Sequence, residues 1–130
     1  MRRDFNLPAA DVQYLGSTGL QWETLIEGRA RWLLIHGRPT HAGYAPAFAV
    51  TALQIAPSYP DAQLDMVWFS PALTPRNGKR IRNLSTQKIA GRVFQRWSRH
   101  RTRENPWRPG EDDLATHLLL VDHWLMREVA

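Results

Sequence analysis

Ile55-Ala56-Pro57-Ser58-Tyr59-Pro60, leading into Leu64-Asp65-Met66-Val67-Trp68-Phe69, is the stretch on which the fold turns. Pro60 fixes its own φ and keeps Tyr59 extended, so the Tyr59 ring can cover one end of a sheet. An apolar run precedes this junction and another follows it. Phe48–Ile55 reads as a third strand and Leu64–Phe69 as a fourth. Working backwards, Trp32-Leu33-Leu34-Ile35-His36 is continuously apolar, as expected of an interior strand, and Leu20–Ile26 alternates like a half-buried one. Glu27-Gly28-Arg29 supplies the turn between them, and residues 37–46, with two prolines and two glycines, read as a loop. Short turns favour an antiparallel meander of four strands.

The flanks add helices. Asn6-Leu7-Pro8 suits a helix start with Asn6 as N-cap, running through Ala9, Ala10, Val12 and Leu15 and breaking at Gly16-Ser17-Thr18-Gly19. After Ser70-Pro71 the pattern lapses for about forty residues, an irregular segment longer than loops usually run, within which Ser85–Phe94 reads as a short helix or turn. Order returns at Pro109-Gly110-Glu111-Asp112-Asp113, an acidic helix start, and the stripe Leu114, Leu118, Val121 and Leu125, with Trp124 alongside, carries a helix to Glu128. Helix, meander, irregular segment and covering helix make an α+β layer arrangement in one domain over residues 1–130.

Composition narrows the chemistry. The chain has 130 residues, 43% of them hydrophobic, with six tryptophans and no cysteine. Such a chain is long enough to bury a core without disulfides or metal. The missing thiol excludes thiol catalysis, disulfides, thiolate metal sites and iron–sulfur clusters. Met1-Arg2-Arg3-Asp4-Phe5 opens no apolar run, and nothing approaches the roughly 20 apolar residues of a membrane span. A cytoplasmic protein without a signal peptide is the expectation. His36, His41, His100, His117 and His123 form no His-x-x-x-His or His-Glu-x-x-His spacing, so no metal or other cofactor is expected. Charge is polarised: Arg76–Arg108 holds eleven Lys and Arg against Glu104 alone, which sets +10 there against −5 over the rest. Such a segment can steer an acidic partner or nucleic acid.

The order of these elements resembles the ubiquitin-conjugating-enzyme fold. Its marks here are the Tyr59-Pro60 junction, the Asn77-Gly78 turn followed by Ile81, the Trp97-Ser98 pair and the helix from Glu111. More narrowly, several stretches resemble prokaryotic conjugating-enzyme family E. They are Gly19–Thr24 with Arg31–His36, Gln95–Arg101, and Asn105-Pro106-Trp107-Arg108-Pro109-Gly110. The resemblance covers roughly residues 7–128. It implies three partners: a ubiquitin-like protein, an adenylating activating enzyme and a metal-dependent isopeptidase of the same system.

The departures from that pattern decide the expected chemistry. The family's thioester cysteine would fall near Arg82 or Asn83. Its His-Pro-Asn is replaced by Ser70-Pro71-Ala72, and Asp61-Ala62-Gln63 stands where a second Tyr-Pro proline would. A cysteine is already partly thiolate at neutral pH, whereas a serine needs an adjacent base. The hydroxyls Ser85, Thr86 and Ser98, with His100 or His117 as base, are the candidates for an oxyester route. Turn and capping roles explain the same hydroxyls. Asp113 and His117, four residues apart, share a helix face, and an ordinary surface pair is the favoured reading. Tyr59, Arg96, Trp97, Arg99, Arg101 and Trp107 are the candidate partner-binding residues. Cations beside aromatic rings would also suit single-stranded nucleic acid, although no nucleic-acid module surrounds them.

The expected function is that of a non-thiol conjugating-enzyme-like component, which binds and positions the ubiquitin-like protein and its activating enzyme. An active Ser/Thr oxyester enzyme and a basic nucleic-acid-binding module are the alternatives.

Overall fold

The Tyr59-Pro60 peptide is cis and lies between two neighbouring antiparallel strands, where the sequence places it. A computed structural model describes residues 1–130. Helix α1 (Ala9–Thr18) is followed by β1 (Trp22–Glu27), β2 (Ala30–Pro39), β3 (Tyr44–Ala45), β4 (Phe48–Gln54) and β5 (Val67–Ser70). Then come β6 (Thr74–Pro75), β7 (Leu84–Ile89), β8 (Arg92–Trp97) and helix α2 (Leu114–Glu128).

The α+β class and the order helix, antiparallel sheet, helix hold, but the sheet is larger than the sequence suggests. Six strands run in the order β1-β2-β4-β5-β8-β7, and β3 pairs with β6 in a separate ribbon. The segment read as irregular therefore contains a hairpin that extends the sheet. Ser85–Phe94, expected as a short helix or turn, is most of β7, the turn Ala90-Gly91 and the start of β8. Both turn residues have positive φ, 52° and 77°, the backbone that a two-residue hairpin turn requires.

Helix α1 also starts differently. Pro8, not Asn6, is its N-cap, and the Pro8 carbonyl accepts from the Asp11 and Val12 amides. Proline has no amide to leave unpaired at a helix start. Gly19, at φ 71°, ends the helix in the left-handed conformation that glycine adopts without strain.

The Trp32–Ile35 stretch of β2 is apolar without interruption because both faces of the sheet are covered there. Leu33 and Ile35 join the larger core, with Leu53, Val67, Phe69 and Trp97 and the α2 residues Leu114, Leu118, Val121 and Leu125. Trp32 and Leu34 face the opposite way, into a smaller core with Val50, Trp68, Ile89 and Phe94. There the Trp32 and Trp68 rings meet edge to face, 4.8 Å between centroids. Trp68 Nε1 donates to Gln87 Oε1 (3.0 Å), and the Ala90 amide donates to Glu27 Oε2 (2.8 Å), drawing the hairpin tip toward the β1–β2 turn.

The C-terminal helix follows its stripe closely. Asp113 accepts from the Thr116 amide, Thr116 Oγ1 accepts from the Asp113 amide, and this reciprocal cap fixes the start. Tyr44 donates to the Leu125 carbonyl (2.7 Å), tying the small ribbon to the helix, and burial pushes its phenol up to about 12. No helix is long and apolar enough to cross a membrane.

Candidate functional site

Between the ribbon and the hairpin runs a loop that carries the charge. Arg76, Lys79, Arg80 and Arg82 are all exposed, and none is in an ion pair. Buried Ile81 anchors the loop to the larger core. The Arg76 amide donates to the Gly43 carbonyl (2.8 Å), and the Lys79 amide to Asn77 Oδ1 (2.9 Å). Arg80, Ile81, Arg82, Asn83 and Leu84 line an open cleft of about 600 Å³. Asn83 sits at φ 60°, a left-handed position that asparagine tolerates. Its carbonyl accepts from the Ser98 amide (3.1 Å), and the Arg82 carbonyl from Arg99 Nη1 (3.1 Å). The backbone lining the cleft is thus held by the residues that follow β8, and two of its five lining side chains are cationic.

The three hydroxyls are dispersed. Ser85 and Thr86 are exposed neighbours on β7, so they project to opposite sides of the sheet. Ser85 lies opposite Arg96 and Thr86 opposite Gln95. Ser98, half-buried, follows β8. None of the three is hydrogen-bonded to an imidazole: the His100 ring meets Asp65, and the His117 ring meets Arg101 and Met66.

His100 is exposed, and its Nδ1 lies 2.8 Å from Asp65 Oδ2, leaving Nε2 open to solvent. Asp65 Oδ1 accepts from the Arg101 amide (3.2 Å). Asp65 therefore orients this imidazole as a carboxylate orients a general base. The chain supplies no nucleophile in contact with it. Nothing in the sequence pointed to Asp65, which lies 35 positions from its partner.

His117 is fully buried, not the surface partner of Asp113 that helix spacing suggests. Asp113 is occupied as the helix cap. Arg101 Nη2, which can only donate, meets His117 Nδ1 at 2.8 Å, and the Met66 carbonyl, which can only accept, lies 3.0 Å from Nε2. The imidazole is thus neutral with its proton on Nε2. Burial pushes its pKa down to about 4, opposed by the Met66 hydrogen bond and reinforced by the Arg101 charge. Its one acceptor is already filled.

The same arginine continues outward. Arg101 Nε donates to the Leu64 carbonyl (2.9 Å), and its guanidinium lies 4.7 Å from the Trp107 ring centroid. Trp107 Nε1 donates to the Pro60 carbonyl (3.0 Å), and its ring packs against Tyr59 at 6.0 Å. The Tyr59 hydroxyl donates to Asp11 Oδ2, and Asp11 Oδ1 accepts from the Leu114 amide at the start of α2 (3.2 Å). Burial raises the Asp11 pKa, the Tyr59 and Leu114 hydrogen bonds oppose it, and Asp113 adds to it. Burial likewise raises the Tyr59 phenol. One chain of contacts thereby joins α1, the Tyr59-Pro60 junction, the segment after β8 and the first turn of α2. The sequence did carry a signal for Asp11: it sits four residues before buried Leu15, on the face α1 turns inward.

Trp97 is fully buried, meeting Phe69 edge to face at 5.8 Å. Arg99 stacks over it at 5.0 Å and pairs with Glu128 (3.2 Å). Arg96 extends toward the smaller core. Its Nε is buried without a partner, and its Nη2 reaches only the Met66 sulfur, 3.7 Å away.

The family model described as prokaryotic E2 family E matches residues 7–128, nearly the whole chain. The chain belongs to that family. Membership agrees with the order of elements and with the Tyr59-Pro60 junction between paired strands. No curated protein and no solved structure matches it. In this prokaryotic E2-like protein the position near Arg82 and Asn83 holds a backbone turn among unpaired cations, and the sequence contains no thiol. The family as a whole implies contact with ubiquitin-like proteins and their activating enzymes.

Proposed function

We propose that this E2-like protein is a non-thiol component of a bacterial ubiquitin-like conjugation system. It binds and positions the ubiquitin-like protein and its activating enzyme without carrying the acyl group itself. What supports this most is the family match over residues 7–128 together with a cationic cleft around Arg82 and Asn83, where the resemblance would put the missing thiol. Four exposed arginines and lysines without carboxylate partners raise the local potential and attract an acidic surface or a terminal carboxylate. Because Arg99 and Arg101 hold the fold together, Arg80 and Arg82 are the cleaner probes. The double variant Arg80→Glu, Arg82→Glu should keep the wild-type melting temperature and weaken association with the ubiquitin-like protein or the activating enzyme by about tenfold or more. Calorimetric titration against both partners, taken from the genes flanking its own, provides the measurement. Unchanged affinity for both would reject the cleft as the docking site.

The Asp65–His100 pair supports a second reading, in which a hydroxyl accepts the acyl group transiently and His100 serves as base. That reading requires a hydroxylamine-sensitive adduct that disappears in one of Ser85→Ala, Thr86→Ala or Ser98→Ala. Transfer unaffected by all three substitutions would remove it.

A further inference from the structure

The two edges of the main sheet are finished differently. On β1 the chain's own N-terminal segment covers the edge: the Thr24 amide donates to the Arg2 carbonyl (3.0 Å) and the Asp4 amide to the Thr24 carbonyl (2.9 Å). The Ile26 amide adds a bond to Asp4 Oδ2 (2.9 Å). Strand β7, at the other end of the sheet order, pairs only with β8. The Ser98 amide donates to the Asn83 carbonyl, and Ile89 faces Arg92 across a two-residue turn. Odd-numbered residues of β7 therefore bond to β8, and the backbone groups of Leu84, Thr86 and Lys88 point outward. No protein group bonds to them. Exposed edges of this kind invite an added strand unless something blunts them.

The surroundings of the edge select what would add. Arg82 just before β7, Lys88 on it and Arg92 just after the turn are exposed, and no acidic residue occurs from Arg76 through Arg103. The Glu27 carboxylate near the hairpin tip is taken up by the Ala90 amide. A second copy pairing antiparallel on β7 would bring two such cationic segments together, which like charge opposes. An acidic segment faces attraction instead. Beside the edge, Ala72, Leu84, Ser85, Thr86, Val93 and Gln95 line a largely apolar cleft of about 230 Å³, adjoining the cationic one at Leu84. An added strand presents alternate side chains to each face, so apolar residues can reach this cleft, on the face shared by Leu84, Thr86 and Val93. Carboxylates on the opposite face then lie on the side of Arg92, within the positive field of the segment.

We infer that β7 is a strand-addition site for an extended acidic segment of a partner protein, in which acidic and apolar residues alternate. The inference needs only such a segment and stands apart from the conjugation reading: Thr86 serves here through its backbone, whatever its hydroxyl does.

The probe is a fluorescein-labelled octapeptide alternating glutamate and valine, with an analogue methylated at its two central amide nitrogens. One of those two amides faces β7 in either orientation. Anisotropy should show saturable binding of the parent peptide and about tenfold weaker binding of the analogue, the loss expected from removing a backbone hydrogen bond and crowding the edge. Thr86→Pro, which deletes an outward amide while leaving the β7–β8 ladder, should weaken the parent similarly at an unchanged melting temperature. Amide exchange followed by NMR provides a readout independent of any variant. Leu84, Thr86 and Lys88 should exchange fast in the free protein and slowly with the parent peptide, while Ser85, Gln87 and Ile89 stay protected throughout. Absent binding, equal affinity for both peptides, or unslowed exchange at the three outward amides would each overturn the inference. Slow exchange there in the free protein at high concentration would assign the edge to a second copy and overturn it too.

Discussion

Burial, and an Arg101 donor at Nδ1 that only the neutral ring can accept, together oppose protonation of His117. Its pKa falls from the ordinary 6.5 to about 4 on folding, so the unfolded chain takes up a proton that the folded one refuses. Stability from this residue is intact above pH 6.5 and is lost as pH falls toward about 4, by roughly 3 kcal/mol in all. Asp11 works in the opposite sense. Its raised pKa lets the folded state accept a proton before the unfolded state does, which offsets part of that loss. Urea unfolding at pH 7.5 and pH 4.5 should show the decline, and His117→Gln, which can still accept from Arg101 and donate to Met66, should flatten it. His117→Leu should instead cost about 2–4 kcal/mol at pH 7.5, because it leaves a buried donor and a buried carbonyl unpaired. Tyr59→Phe should cost about 2 kcal/mol by depriving the buried Asp11 carboxylate of its hydroxyl donor. The same change made over Asp11→Asn should cost clearly less, and a double-mutant cycle by urea unfolding measures the difference.

The β7–β8 hairpin is the element hardest to see in the sequence. Its turn is Ala90-Gly91, not the Asn-Gly or Asp-Gly that marks a two-residue hairpin, and Ala90 is held at φ 52° against its preference. Ala90→Gly should therefore stabilise the protein by about 0.5–1 kcal/mol, read as a rise in melting temperature. Ser85-Thr86-Gln87-Lys88 is polar because it lies at an edge, and Arg92, Gln95 and Arg96 dilute the alternation of β8. Helix α2, by contrast, was legible throughout. Its stripe at four, three and four residues matches the buried set, and Asp113 with Thr116 closes its start. Asp113→Ala should cost about 1 kcal/mol in the same melting assay. The basic segment was equally visible as composition. The division of labour within it was not: Arg99 pairs with Glu128 and Arg101 with Leu64 and His117, and all these partners lie far away in sequence.

Across the whole molecule, structure and charge are separated. Two cores pack on opposite faces of one sheet, and the contacts from Asp11 through Tyr59, Trp107 and Arg101 to His117 lock both helices and the junction loop to it. Four exposed cations without ion pairs cluster on the loop at residues 76–82, and Lys88 and Arg92 add to them at the β7–β8 hairpin. A scaffold of this kind can hold an activated partner against a positively charged wall. The most direct measurement mixes the purified chain with the proposed ubiquitin-like protein, the proposed activating enzyme and ATP, then follows co-elution on a sizing column and intact mass before and after hydroxylamine. Our account predicts a stable assembly in which the chain's own mass never changes. A covalent adduct on this chain, removed by hydroxylamine, or the absence of any assembly would contradict it.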